Sequence, residues 1–210
     1  TARTMIEQEP NYSSVAARLL LDNLRAEGLS FLDVAESATQ GDMATYYPQA
    51  LKSFISQGIE LELLAPNLAD YDLDMLGEAL LPERDLQFSY LGLQTLYDRY
   101  FIHSDETRFE LPQLFFMRVA MGLATREDDK NARAIEFYQL LSSFDYMSST
   151  PTLFNSGTLR PQLSSCYLTT VPDDLHGIYG AIQDNAMLSK FAGGLGNDWT
   201  PVRALGAYIK

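Results

Sequence analysis

The sequence is short of the residues that ordinary catalysis and disulfide chemistry draw on. Cysteine occurs once, at Cys166. One thiol cannot close an internal bridge, so the chain reads as a protein of a reducing compartment. Histidine occurs twice, at His103 and His176, in unlike surroundings, which excludes a zinc signature. There is no Cys-x-x-Cys pair and no Gly-x-x-x-x-Gly-Lys-Ser/Thr phosphate loop. No apolar run approaches the roughly 20 residues that span a bilayer. The first residues show no basic-then-apolar secretory pattern.

Positive charge is scarce as well. Fifteen Lys and Arg against 28 Asp and Glu leave a net charge of -13. A duplex phosphate backbone is bound by displacing counterions with Lys and Arg, so nucleic acid is excluded as the expected partner. Nucleotide monomers are not, because a few backbone N–H groups and one or two Arg suffice for them. What is present in quantity is apolar: 46% of the 210 residues are hydrophobic, enough for one large or two small cores.

Periodicity makes the first ~145 residues mainly α. Pro10-Asn11-Tyr12-Ser13 signals a turn and a helix start. Val15, Leu19, Leu20, Leu21 and Leu24 then form a wide apolar stripe, and Gly28 is expected to stop that helix. Further helical patterns cover 48–58, 68–80, 88–100, 111–124 and 130–144, with a loop at Pro82-Glu83-Arg84-Asp85. "YFIHSDETRFELP" alternates around a Ser-Asp-Glu turn and predicts a small hairpin. The many acidic residues are expected on solvated helix faces.

The texture changes at Ser148. "SSTPTLFNSGTLRPQLSSCYLTTVPDD" is rich in Ser, Thr and Pro and predicts a loop leading into a short strand from Cys166 to Val171. Pro172 ends that strand, and Asp173-Asp174 caps a helix reaching Ala186 or Lys190. Leu175, Ile178, Ile182, Ala186 and Phe191 fall near one face of it. Gly193-Gly194-x-Gly196 ends a helix and predicts a stop and turn; a dinucleotide fingerprint would follow a strand. A lone cysteine such as Cys166 is either a small core hydrophobe or a working thiol, and the residue pattern leaves both open.

Taken in order, "PNYSSVAARLLLDNL", "RDLQFSYLGLQTLYDRY", "ELPQLFFMRVAMGLA", "STPTLFNSGTLRPQLSSCYL" and "VRALG" resemble the large, catalytic α subunit of ribonucleotide reductase, class I best. The most specific element is "TPTLFNSGTLRPQLSSC", where small residues, prolines and the cysteine match at fixed spacings. The resemblance implies a mainly α N-terminal region leading into the start of a ten-stranded α/β barrel. By it, 1–28 are the last helices of an ATP-cone-like domain, 29–147 a helical N-terminal domain, and 148–210 the first barrel strand, a dimer helix and the start of a specificity loop. Thr1 and Ile209-Lys210 carry no start or stop signal, which leads to the expectation of an excised piece of a longer protein.

The resemblance also implies roles. Cys166 is one of two thiols that become a disulfide as the ribose 2′-hydroxyl leaves as water; the second thiol, the thiyl-radical cysteine and their neighbours belong to later strands. Thr150 and Ser165 match substrate-contacting positions. Asp173, Asp174 and Leu175 match a segment at a dimer helix that touches a deoxynucleoside triphosphate effector, and Arg203 and Lys210 match effector-phosphate cations. Lysine keeps the charge there but not the bidentate fork of arginine. Arg25-Ala26 lie where relatives carry basic residues that reach ATP, but most of such a pocket precedes Thr1, so no ATP site is assigned. The implied partners are a ribonucleoside diphosphate, a metal-containing small β subunit that supplies the radical, a second α subunit or higher oligomer, and thioredoxin or glutaredoxin. The implied effectors are ATP, dATP and deoxynucleoside triphosphates, the chain itself needs no metal, and its place is the cytoplasm. The alternatives are a cobalamin-dependent (class II) reductase, separated by activity with adenosylcobalamin, and a non-catalytic helical nucleotide-binding or dimerisation module.

Overall fold

The computed structural model describes residues 2–191 and 193–208. It divides into two compact units, Thr1–Pro161 and Gln162–Lys210.

The first unit is helical. Its helices are α1 (Tyr12–Phe31), α2 (Met43–Glu60), α3 (Leu73–Glu78), α4 (Tyr90–Arg99), α5 (Pro112–Ala124), α6 (Lys130–Ser142) and α7 (Thr150–Asn155). Short 3-10 turns cover Pro66–Asp70 and Pro82–Gln87. The expected hairpin is present as antiparallel β1 (His103–Ser104) and β2 (Thr107–Arg108). The helices end where local chemistry ends them. Ser89, Asp72 and Asp129 cap α4, α3 and α6 by accepting backbone N–H bonds from Gly92, Met75 and Ala132. Pro112 opens α5, where its missing N–H costs nothing.

α5 is the central element: Leu114, Phe115, Phe116, Met117, Val119, Ala120 and Met121 are all buried, so it is apolar around most of its circumference. α1 packs on the same core through Leu21, Leu24 and Leu29. At about 1.5–3 kcal/mol for each fully buried large side chain, these positions hold the helix in the unit. The expected stripe was displaced: Val15 and Leu19 face outward, at 48% and 54% exposure. Gly28 also does not stop the helix, which runs on to Phe31. The glycine is there because Leu111 closes over it; a Cβ would meet Leu111 Cδ2 at 3.0 Å.

The segment expected as loop after Ser148 contains α7, whose Thr150-Pro151 start presets the first helical turn. Pro82-Glu83-Arg84-Asp85, expected as a loop, lies in the 3-10 turn Pro82–Gln87, which buries Asp85 completely.

The second unit is a β-α-β crossover. Strand β3 (Cys166–Thr170) pairs in parallel with β4 (Gly194–Asp198), and α8 (Leu175–Lys190) connects them. The glycine cluster is a helix stop only in part: the Gly193 N–H donates to Leu188 O at 2.9 Å at the end of α8. Gly194 and Gly196 lie in β4, opposite Cys166 and Leu168, because the ladder with β3 outweighs a weak local turn preference. No helix among the described residues is long and apolar enough to cross a membrane.

Candidate functional site

Cys166 is the first residue of β3, where the Ser-Ser approach becomes extended and β-branched or aromatic neighbours favour a strand. The ladder fixes its backbone. Ser165 C=O accepts the Gly194 N–H at 2.6 Å, and Cys166 lies in register with Gly194. The thiol is free and exposed, with its sulfur 3.6 Å from the Ser165 hydroxyl. A core thiol would be enclosed by apolar side chains; this one stands at a strand end beside a hydroxyl.

Thr150 belongs to the first unit, Ser165 and Cys166 to the second. Thr150 opens α7 exposed, and its hydroxyl is 3.0 Å from the Tyr100 hydroxyl. The backbone of α7 is fastened from behind by Arg118. That guanidinium is wholly buried, bonds Glu110 at 2.6 Å, and donates to Ser156 O at 2.6 Å and Leu153 O at 3.3 Å. Ser156 Oγ donates to Val119 O at 2.8 Å. Gly157 follows at φ +75, with its Cα face so near α5 that a Cβ would lie 2.8 Å from Arg118 O. Both the backbone angle and the space require glycine.

Asp173, Asp174 and Arg203 are brought together around the start of α8. Asp174 is the N-cap, accepting the Gly177 N–H at 2.8 Å. Asp173 takes the Arg203 backbone N–H at 3.1 Å and its Nε at 2.7 Å, while Arg203 Nη1 donates to Tyr208 O at 2.6 Å. The Arg203 N–H, followed by its side chain, holds the Asp173 carboxyl below the usual range. Leu175 is 71% exposed on the first turn. Lys210 lies outside the described residues. On α8 the exposed apolar face is Leu175, Tyr179, Ile182 and Ala186. Ile178, expected in that stripe, is half-buried one position off it, and Phe191 lies past the last turn.

Two buried charge networks were not foreseen from the residue pattern. Asp85 accepts from Arg25 at 3.1 Å, Tyr47 at 2.8 Å and Gln113 at 2.7 Å. Tyr138 donates to Gln113 Oε1 at 2.7 Å and accepts the Leu81 N–H at 2.9 Å. Burial raises the Asp85 carboxyl while these donors hold it back, and burial pushes the Tyr138 phenol to about 12. Arg25, which the resemblance set near ATP-reaching positions, is spent on Asp85 and Gln40 inside the core. The second network is Glu110–Arg118. The available signal was an Arg inside the otherwise apolar run "LFFMRVAMGLA", a position where a charge needs a buried partner. Among the described residues no group of three or more His, Cys, Asp or Glu is arranged to hold a metal ion.

The comparisons agree with this division of the chain. Residues 86–161 match the family described as "Ribonucleotide reductase, all-alpha domain", and residues 164–210 match "Ribonucleotide reductase, barrel domain". The ribonucleoside-diphosphate reductase subunit alpha of Chlamydia muridarum is 55% identical over 210 residues, all of this chain and 20% of the relative. That of Helicobacter pylori strain ATCC 700392 / 26695 is 40% identical over 201 residues, 95% of this chain and 24% of the relative. The large chain from Schizosaccharomyces pombe is 37% identical over 217 residues, all of this chain and 25% of the relative. The chain thus spans about a fifth to a quarter of the length of these curated relatives.

Proposed function

The chain belongs to the ribonucleotide reductase large-subunit family, and from that premise we propose that it is part of an enzyme reducing ribonucleoside diphosphates to 2′-deoxyribonucleotides by thiyl-radical chemistry. Cys166 supplies one of the two thiols. As the 2′-hydroxyl leaves as water, the pair gives up two electrons and two hydrogens and closes a disulfide; an external dithiol, of the thioredoxin or glutaredoxin kind, reopens it. The observation that carries this reading is the free, exposed Cys166 thiol at the head of β3 beside Ser165, inside the barrel match. By resemblance, Ser165 in the second unit and, separately, Thr150 in the first are each expected to offer a hydroxyl to substrate. The second thiol and the radical site lie in other parts of the protein, and a metal-containing small subunit supplies the radical.

The start of α8 is the effector and pairing element. Arg203 has its charge fixed at the surface by Asp173, and Leu175, Tyr179 and Ile182 offer an apolar face to a second subunit. Deoxynucleoside triphosphates are the expected ligands there, and the cytoplasm the expected place. ATP and dATP act through a cone-like domain, to which Arg25 contributes no free charge. Nothing in the comparisons favours the cobalamin-dependent alternative.

The test is thiol accounting in the complete protein. In the reduced enzyme Cys166 should be alkylated; after one substrate turnover without external reductant it should be protected, because a disulfide has no thiolate. Equal labelling before and after turnover would refute the role.

A further inference from the structure

We infer that Tyr100 is a positioning residue for Thr150, setting the threonine hydroxyl as a hydrogen-bond donor toward a substrate phosphate oxygen. This rests on the reading of Thr150 as a substrate contact. The two hydroxyls are 3.0 Å apart. A hydroxyl has one proton to give and two lone pairs to accept with. A phenol is more acidic than an alcohol, so Tyr100 donates and Thr150 Oγ1 accepts. That leaves the Thr150 proton uncommitted and directs it away from Tyr100, on an exposed side chain. Phosphate oxygens only accept, so this polarity is the one a nucleoside diphosphate needs.

Both partners are held in place. Tyr100 follows the last turn of α4, where its N–H bonds Leu96 O at 2.9 Å. Its ring meets Phe115 of α5 edge-on at 6.4 Å and Phe154 of α7 at 6.0 Å. The α7 backbone is pinned by the buried Arg118 bonds to Leu153 and Ser156. Thr150 is therefore presented on a fixed backbone with its side chain oriented by one further group, the arrangement that lowers the ordering cost of binding.

Tyr100→Phe removes the hydroxyl and keeps the ring contacts, so the fold should survive. In the complete large subunit, equilibrium binding of a ribonucleoside diphosphate would be measured for the parent, Tyr100→Phe, Thr150→Val and the double variant. We expect Tyr100→Phe to weaken binding by about threefold to tenfold, the scale of one hydrogen bond. Thr150→Val should weaken it at least as much, and the double variant no more than Thr150→Val alone. In a Thr150→Ser background, which keeps a hydroxyl, Tyr100→Phe should still weaken binding. A Tyr100→Phe protein that binds as the parent, while Thr150→Val is weakened, overturns the inference and leaves the substrate site standing. Effects that simply add in the double variant also overturn it. Unchanged binding in Thr150→Val overturns the substrate assignment itself. If Tyr100→Phe loses stability, the comparison of its effect in the Ser and Val backgrounds still decides, since a structural loss would be the same in both.

Discussion

The Arg118 guanidinium meets the Glu110 carboxylate at 2.6 Å with neither side chain exposed to solvent. Glu110 also accepts the Ile102 N–H at 2.8 Å, so one carboxylate ties the hairpin entry to α5 while its partner ties α5 to α7. Removing one member leaves the other charge buried without compensation. Arg118→Met should therefore destabilise the protein by about 3–5 kcal/mol in urea denaturation, and adding Glu110→Gln to it should recover part of the loss. A single-variant effect within ~0.5 kcal/mol of the parent would show that the pair is not buried in solution.

Gly157→Ala should cost at least about 1–3 kcal/mol, from the left-handed backbone angle together with the collision against Arg118 O. The same substitution at Gly180, where no atom lies within 4 Å of a new Cβ and the site is inside α8, should be neutral or stabilising. Thermal melts of the two variants side by side check the contrast.

Asp173 should titrate below its ordinary value of 3.8, because its ionised form is the one that Arg203 bonds. The sign follows from the lowered folded value. The link at the start of α8 is fully present above about 3.8, the unfolded value, and fades as pH falls through the lower folded value. Carboxylate chemical shifts against pH would show it. Arg203→Ala should return the midpoint only partway, since the largest contribution comes from the backbone N–H, which the variant keeps. A midpoint at 3.8 or above in the parent would mean that the Asp173–Arg203 pair is open.

In the complete protein, charged substitutions at Tyr179 and Ile182 should weaken pairing of subunits in the presence of a deoxynucleoside triphosphate, while the same change at Ile178 should act on folding instead. Tyr179 and Ile182 are 64% and 50% exposed on the apolar face of α8, whereas Ile178 is half-buried. Sedimentation with effector present separates the two effects. Unchanged association of a folded Tyr179→Asp/Ile182→Asp protein would count against the pairing role.

The sequence carried the helices whose apolar period was strong. α5 and α6 lie within two residues of the expected spans, and the strand at Cys166 and the cap at Asp174 were legible from one proline and one carboxylate. What escaped were features set by contacts between distant segments. Val15 and Leu19 look as apolar as Leu21 and Leu24, and only the side on which α4 and β2 pack decides which pair is buried. Gly28 carries a stop signal locally, but Leu111 closes over it inside the helix, and of the later glycine cluster only Gly193 ends α8 while Gly194 and Gly196 pair with β3. Asp85 belongs to a stretch that reads as a loop; its burial depends on Arg25, Tyr47 and Gln113, 60, 38 and 28 positions away. Of the candidate site, Cys166 and Thr150 are proposed from resemblance, while Tyr100 and Arg118, which hold α7 and its threonine, become visible only in three dimensions.

The most direct test of the central claim is Cys166→Ser in the complete protein, assayed for sustained turnover with its dithiol reductant. Serine is nearly isosteric, and at an exposed site beside Ser165 it should disturb neither folding nor substrate affinity. Its O–H bond is too strong to give hydrogen readily to a carbon radical, and oxygen cannot take part in a protein disulfide. The variant should bind substrate with parental affinity and form no deoxynucleotide over many turnovers. Turnover at the parental rate would contradict the account and make Cys166 a bystander at the head of β3.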